Sequence, residues 1–287
     1  MIKFHNKQSS ISVDFSKAFT IQGHRGARGY CPENTILSCQ KAIELGADGL
    51  EIDICVSKDN QLIVSHEPWI SRHICSFPDG KPVDTEGSLF LKNMTVSNIQ
   101  TYDCGIRGNA RFPTQQAIKT CKPTLYELVL NIMSFCEAHH YPPPFWNIEV
   151  KSHVNWYGRL VPFPRTYAAL IRDFLAQHIL LLPKNRYYLS SFDPYILRAI
   201  RRELPDISLA FLTEQRENFG ESIKRLGFKP HFYSPFYKNI TSKMVKQVHH
   251  HGVQLVTWTV NDMKSAKRLK KWGVDGIITD FPNLLTV

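Results

Sequence analysis

Two carboxylates, Glu51 and Asp53, lie two positions apart in the stretch G-L-E-I-D-I-C-V at residues 49–56. Apolar residues alternate with them, which is the period-two pattern of a β-strand. At a rise of about 3.3 Å per residue, both carboxylates project from one face roughly 7 Å apart. Like charges this close require either screening by water or a cation between them. The stretch alone leaves two interpretations open: a solvated sheet face or a cation site.

The preceding residues favour a covered site. Residues 19–22 have the apolar pattern of a short strand that ends at G-H-R-G. Residues 32–45 have the pattern of an amphipathic helix that stops at Gly46. A strand, a helix and a second strand this close together are typical of a βαβ unit with parallel strands. Since both faces of a parallel sheet are covered, Glu51 and Asp53 are expected to face a barrel mouth or a cleft.

The next connection is too short for a parallel crossover. S-K-D-N at residues 57–60 has turn chemistry, and residues 61–65 form a strand pattern that leads to His66. Together they predict an antiparallel hairpin. A turn centred between the lysine and the aspartate would place Glu51 directly opposite His66.

Strand and helix patterns then alternate to the end of the chain, apart from an irregular segment at residues 67–123 that is rich in proline and glycine. Leaving the hairpin strand aside, eight strand–helix repeats predict an α/β fold, a (β/α)₈ TIM barrel. We expect one catalytic domain over residues 1–287, in which the segment 67–123 is an insertion that caps the mouth.

In such a barrel, residues at the carboxyl ends of the strands converge on one mouth. Here these ends carry His24, Arg25, Glu51, Asp53, His66, Glu149, Lys151, Trp258 and Asn261. Three carboxylates suit Mg²⁺ or Ca²⁺ better than zinc. Arg25 and Lys151 add positive charge for an anion, and two histidines can act as general acid and base. This set predicts phosphoryl transfer from a phosphodiester.

Ordinary roles remain open for single members of this set. A lone histidine at a strand end is commonly a hydrogen-bonded core residue, and Glu149 and Lys151 can form a simple ion pair. The histidines at 249–251 lie at a helix end, where they favour the helix dipole. It is the joint occurrence of the candidate residues at strand ends that indicates a site.

Composition limits the partners and the compartment. The net charge of +10 invites an anionic partner, but the basic clusters at 198–202 and 264–271 have helical spacing, so we expect no nucleic-acid surface. Seven cysteines without a C-x-x-C pair argue against a disulfide framework or a zinc site and favour buried thiols. No apolar run fits a signal peptide or a membrane span. We expect a cytoplasmic or periplasmic protein.

The chain resembles the glycerophosphodiester phosphodiesterase family of phospholipase-C-like TIM barrels. The motifs, in order, are H-R-G at His24, P-E-N-T at Pro32, G-A-D-G-L-E-I-D at Gly46, S-H at His66, I-E-V-K at Ile148, W-T-V-N at Trp258 and G-V-D-G-I-I-T-D-F-P at Gly273. They span residues 20 to 283.

The resemblance implies the roles of these residues. Three carboxylates would bind one divalent cation: Glu51, Asp53 and Glu149. His24 and His66 would be the acid–base pair, Arg25 and Lys151 would contact phosphate, and Phe192 and Trp258 would wall the glycerol pocket. The adjacent glycerol hydroxyl would attack phosphorus to form a cyclic phosphate, and hydrolysis would yield glycerol phosphate and an alcohol. Substrates would be diesters such as glycerophosphocholine or glycerophosphoethanolamine, which places the enzyme in lipid metabolism.

The chain departs from the family pattern after the second histidine. Most relatives have Asp and then an R-T-T-like segment there, whereas here Glu67-Pro68-Trp69 follows His66. The insertion, with R-F-P-T-Q at Arg111, is also longer than usual. Two rival functions are a phospholipase activity that releases a cyclic phosphate or attacks intact lipid, and a non-catalytic phosphate-binding barrel.

Overall fold

Strands and helices alternate along residues 19–84, 87–183 and 185–285, the part of the chain that the computed structural model describes. The strands are β1 (Thr20–His24), β2 (Gly49–Val56), β3 (Leu62–Val64), β4 (Phe145–Val150), β5 (Tyr187–Ser191), β6 (Leu209–Thr213), β7 (Phe232–Pro235), β8 (Gln254–Thr257) and β9 (Gly276–Thr279). The α-helices are α1 (Ile36–Glu44), α2 (Val96–Ile99), α3 (Leu125–Ala138), α4 (Pro164–Gln177), α5 (Pro194–Glu203), α6 (Phe219–Leu226), α7 (Ser242–His250) and α8 (Met263–Trp272).

Eight of these strands close into a parallel barrel, which confirms the TIM-barrel prediction. From β1 the order runs through β9, β8, β7, β6, β5 and β4 to β2, and β2 pairs with β1 to complete the ring. β3 lies outside this ring and pairs antiparallel with the carboxyl end of β2. The parallel pairing places the carboxyl ends of all eight barrel strands at one mouth.

The hairpin exists, but its predicted register is wrong by one residue. Ile54 pairs with Val64 and Val56 with Leu62, so Glu51 is not directly opposite His66. The backbone N–H of Ser57 donates to the carbonyl of Gln61 at 3.0 Å, which encloses a three-residue loop. Asn60 closes that loop in the left-handed region, at a φ of 59°. The turn is therefore centred on its middle residue and not between two residues.

Apolar side chains fill both sides of the barrel wall. Inside it, buried rings of Phe145, Tyr188 and Phe232 pack together below the mouth. Outside it, alternate strand residues such as Leu50, Ile52 and Ile54 pack against the helices. The inward positions of β2 near the mouth are thus left to Glu51 and Asp53.

The residues between β3 and α3 form an irregular segment with its own apolar cluster. Buried side chains of this cluster include Ile70, Cys75, Leu91, Ile99 and Cys104. The segment also reaches the β1–α1 loop, where the Gln115 side chain donates to the carbonyl of Arg28 at 2.7 Å. It therefore lies against the barrel at the mouth end.

Among the described residues, the helices are all too short or too polar to cross a membrane. Residues 1–18, on which the expectation about a signal peptide rests, lie outside the described part.

Candidate active site

Three carboxylates meet on two neighbouring strands. Asp53 of β2 lies opposite Glu149 of β4 in the parallel register, and Glu51 projects from the same face of β2. One oxygen from each of the three lies within 4.8 Å of the others. Glu51 and Asp53 are buried, and the side chain of Glu149 is only 12% exposed. The barrel geometry therefore holds three like charges in one small volume.

The chain compensates these charges unevenly. Burial would raise the pKa of Asp53, but Lys151 and Arg25 outweigh it and hold that pKa far below its usual range. Lys151 Nζ lies 2.6 Å from Glu149 Oε1 and 3.5 Å from Asp53 Oδ1. In contrast, burial and the charges of Asp53 and Glu149 raise the pKa of Glu51 well above its usual value. Glu51 is thus the member whose charge the protein leaves least compensated.

The trio fits a hard cation. Asp53 Oδ1 is buried and, apart from the ion pair with Lys151 at 3.5 Å, accepts no hydrogen bond from the described residues, which is costly in a protein interior. Its other oxygen accepts from the Asn34 amide at 2.9 Å, so the carboxylate is fixed in orientation. Three fixed oxygens with this spacing suit a cation that binds oxygen ligands at about 2.0–2.6 Å.

His24 is held by a carboxylate from the last strand. Its Nδ1 lies 2.7 Å from Asp280 Oδ1, and its Nε2 is 3.9 Å from Glu51 Oε2. Burial, aided by the charge of Arg28, lowers the pKa of His24 to about 4. The Asp280 pKa lies below its usual range because His24 and Arg28 outweigh the effect of burial. Near neutral pH the imidazole is therefore neutral, with Nδ1–H donating to Asp280 and Nε2 free to accept a proton.

His66 has a similar arrangement. Its Nδ1 lies 2.8 Å from Glu67 Oε1, and its side chain is 33% exposed at the mouth. Although burial raises the pKa of Glu67, the bond to His66 lowers it to about 2. Glu67, the residue directly after His66, thus fixes the ring of His66.

The β1–α1 loop brings Arg25 under the carboxylates. Arg25 takes the left-handed conformation, with a φ of 52°, and its backbone N–H donates to Glu51 Oε2 at 3.0 Å. A side chain at Gly23 would lie 2.5 Å from the Gly26 carbonyl, so this tight loop requires glycine there. The Arg25 guanidinium pairs with Glu33 at 2.6 Å and lies 3.3 Å from Asp53. Arg25 is therefore already engaged by carboxylates.

A cavity of about 410 Å³ opens above this cluster. Nine residues were given roles by the family resemblance. Asp53 lies buried beneath the cavity and the other eight line it: His24, Arg25, Glu51, His66, Glu149, Lys151, Phe192 and Trp258. The rings of Phe192, after β5, and Trp258, after β8, meet edge to face, 5.3 Å apart. The structure thus brings these nine residues to one place, whereas the further candidate Asn261 donates from its side-chain amide to Asp280 at 2.6 Å.

Four further residues belong to this cluster and were assigned no role from the sequence: Arg28, Glu33, Asn34 and Asp280. Arg28 makes two hydrogen bonds to Asp280, at 2.8 and 3.2 Å, and lies 3.6 Å from Glu33. Asp280 directly follows β9, so the strand-end rule that indicated Glu149 also applies to it. Glu33 and Asn34 fall within the P-E-N-T motif quoted above, whereas Arg28 lies between two motifs and had no signal in the sequence.

Comparisons with known proteins identify the family of this chain. Residues 24–284 match the Glycerophosphoryl diester phosphodiesterase family. A glycerophosphodiester phosphodiesterase of Caldanaerobacter subterraneus subsp. tengcongensis is 31% identical over 91% of this chain and 94% of its own length. A Silicibacter pomeroyi crystal structure has a TM-score of 0.79 at 24% identity, covering 95% of this chain and 93% of its own. An Oleispira antarctica phosphodiesterase, solved with sn-glycerol-3-phosphate as product, has a TM-score of 0.72 at 22% identity, covering 93% and 95%. The chain belongs to the glycerophosphoryl diester phosphodiesterase family, and it is an enzyme of that family.

Proposed function

We propose that this enzyme hydrolyses glycerophosphodiesters to glycerol phosphate and an alcohol, in a reaction that depends on one divalent cation. The observation that carries the proposal is the trio of buried carboxylates flanked, in one cavity, by two histidines that are each fixed by a carboxylate. Hydrogen bonds from Nδ1 leave both Nε2 atoms available for proton transfer. Family membership supports the same substrate class.

The cation would be Mg²⁺ or Ca²⁺, held by Glu51, Asp53 and Glu149. When bound, it supplies stabilisation of the negative charge that develops on the phosphate oxygens. Lys151 and Arg25 would contact the same phosphate, since both line the cavity beside the carboxylates. Each would then share its charge between a carboxylate partner and the substrate.

His24 would act as the general base and His66 as the general acid. Because His24 is neutral near pH 7, its Nε2 can take the proton from the glycerol hydroxyl next to the phosphodiester. That oxygen then attacks phosphorus, and the alcohol leaves with a proton from His66. Water would open the resulting cyclic phosphate with the two proton transfers reversed.

Phe192 and Trp258 would recognise the glycerol carbons. Both rings line the cavity, and Trp258 is fixed by its indole N–H, which donates to the Ser234 carbonyl at 3.0 Å. The alcohol would be a headgroup such as choline or ethanolamine. We further propose that the chain is a single catalytic domain capped by residues 67–123, in the cytoplasm or the periplasm.

The test is to incubate the purified protein with glycerophosphocholine and glycerophosphoethanolamine, with Mg²⁺, with Ca²⁺ and with excess chelator, and to assay glycerol phosphate. We expect release that chelator abolishes and added cation restores. A time course by ³¹P NMR would show the cyclic phosphate. If the protein releases no glycerol phosphate from either diester, or if release persists in chelator, the proposed reaction is wrong.

A further inference from the structure

Two cysteines of the segment between β3 and α3 lie against each other. Cys75 and Cys104 are 0% and 4% exposed, and their sulfur atoms are 2.6 Å apart. Non-bonded heavy atoms normally keep about 3.5–4.0 Å between them. The two thiols are therefore packed more closely than independent side chains would be.

The backbone holds this pair in register. Ser76 and Asp103 form an antiparallel bridge in which each backbone N–H donates to the other's carbonyl, at 2.7 and 3.2 Å. The next pair outward is Cys75 and Cys104, at a position without mutual backbone hydrogen bonds. Cα atoms at such positions lie about 4.5 Å apart, and disulfides span about 4.4–6.8 Å. The fold thus brings the two cysteines into contact although they are 29 residues apart in sequence.

A buried cation lies beside them. Lys122 is 5% exposed, and although burial alone would lower its pKa, the charges of Cys104, Cys75 and Glu67 raise it. The Cys104 thiol and Lys122 lower the pKa of Cys75, against the effect of burial. Cys75 is therefore the cysteine of the pair that forms a thiolate more readily, which is the species that attacks a disulfide.

We propose that Cys75 and Cys104 form an intrachain disulfide that clamps the segment capping the mouth. With a low-molecular-weight disulfide such as oxidised glutathione, the Cys75 thiolate attacks one glutathione sulfur and releases the first glutathione. The Cys104 thiolate then attacks the Cys75 sulfur and releases the second. The two protons and two electrons lost by the cysteines end on two glutathione thiols.

The bond would constrain residues 75–104 of the cap, which follow Glu67, the hydrogen-bond partner of His66. The closed loop would run from Cys75 to Cys104 and would include α2 and Phe90, which forms an antiparallel bridge with Trp69. Cross-linking a loop of this length restricts the unfolded segment and raises the free energy of its local opening. Five other cysteines would stay reduced, and four of them are buried: Cys31, Cys39, Cys55 and Cys136.

The test uses the full chain, incubated with oxidised glutathione, denatured without reductant and alkylated with N-ethylmaleimide. We expect five alkylated cysteines out of seven by intact mass. A tryptic digest is expected to contain peptide 73–92 joined to peptide 93–107, and the joined species should disappear after reduction. Seven alkylated cysteines, or a cross-link that involves Cys121 instead, would overturn the proposal.

Limited proteolysis measures what the bond does. In the wild-type chain, reduction should raise the rate of cleavage within residues 67–123 by about tenfold or more. Cys75→Ser and Cys104→Ser should be cleaved fast with or without oxidant, whereas Cys121→Ser, in the same segment but half-exposed, should behave as wild type. If a variant does not fold, the oxidised and reduced wild-type chains still give the answer. Equal rates in those two forms would contradict a clamp.

Discussion

The mouth of the barrel has two unlike sides. One, which we call the charged wall, comes from the ends of β1, β2 and β4 and consists of His24, Arg25, Glu51, Asp53, Glu149 and Lys151. The other, the apolar wall, comes from the ends of β5, β6 and β8 and consists of Phe192, Leu212 and Trp258. Both walls face the same cavity of about 410 Å³.

The two walls are held together by different forces. Members of the charged wall contact one another through ion pairs and hydrogen bonds of 2.6 to 3.9 Å, with little exposure to solvent. Removing one of them leaves its partner buried and uncompensated, which is costly. The apolar wall makes ring contacts, whose loss scales with area. We therefore expect catalysis to depend on the charged wall and affinity to depend on the apolar wall.

The largest effect should come from Glu51→Gln, which keeps the shape of the side chain and removes a proposed cation ligand. We expect kcat for glycerophosphocholine to fall by about a hundredfold or more, with a weaker cation dependence, because this carboxylate is part of the trio. Steady-state kinetics over a cation titration measure both. The matched control is Glu44→Gln, on the exposed face of α1, which should change neither quantity. A kcat of Glu51→Gln close to that of wild type would show that the charged wall does not contribute to the chemical step.

Asp280→Asn should have the next largest effect, since Asp280 orients His24 without lining the cavity. We expect kcat to fall by roughly 10- to 100-fold. Asp280 raises the pKa of His24, so its loss should move the acidic limb of the kcat/KM profile to lower pH. The exposed Asp206→Asn is the control. An unshifted acidic limb would mean that His24 is not the base.

Trp258→Leu should affect affinity more than rate. Loss of ring area opposite Phe192 should raise KM about three- to tenfold and leave kcat within about twofold of wild type. Initial rates over a range of glycerophosphocholine concentrations separate the two constants. A tenfold fall in kcat with unchanged KM would show that the apolar wall contributes to the chemical step, and the division between the walls would fail.

The smallest effect lies outside both walls, at His231. Burial and the charge of Arg201 lower its pKa from 6.5 to about 4, and its Nδ1 accepts from the backbone N–H of Leu209. As pH falls, His231 therefore takes up a proton near pH 6.5 in the unfolded chain but only near pH 4 in the folded protein. The contribution of this residue to the free energy of unfolding is complete above pH 6.5 and is lost as pH decreases to about 4. Urea unfolding of His231→Gln should show a shallower fall in this window. The kcat of His231→Gln at pH 7 should match that of wild type, because His231 affects stability and takes no part in catalysis.

The charged wall was largely predictable because one rule located it: polar residues at the carboxyl ends of parallel strands share a mouth. Local pattern also identified β2 and β4, since alternation shows directly in the sequence. The hairpin register was not predictable, because it depends on the left-handed backbone conformation of Asn60. The residue types of the turn do not require that conformation, and a shift of one residue changes every pair in the hairpin. The pairing of His24 with Asp280 joins residues 256 positions apart, and no local pattern encodes it.

The contact between Cys75 and Cys104 was hidden for a similar reason. The spacing of the cysteines showed no paired motif, and the bridge at Ser76 and Asp103 that aligns them lies in an irregular segment with no periodic pattern. Burial of the cysteines was expected, and all are buried except Cys121, which is half-exposed. Their mutual contact requires the folded segment.

The pairing of β1 with β9 also bears on the order in which the molecule is made. His24 is among the first residues of the barrel to be synthesised, whereas Asp280 and the strand before it are among the last. While a chain is still emerging from the ribosome, its first strand has no neighbour on one side and its imidazole has no carboxylate partner. The complete site can thus assemble only after the final strand has docked, so partial translation products would lack a fully oriented His24.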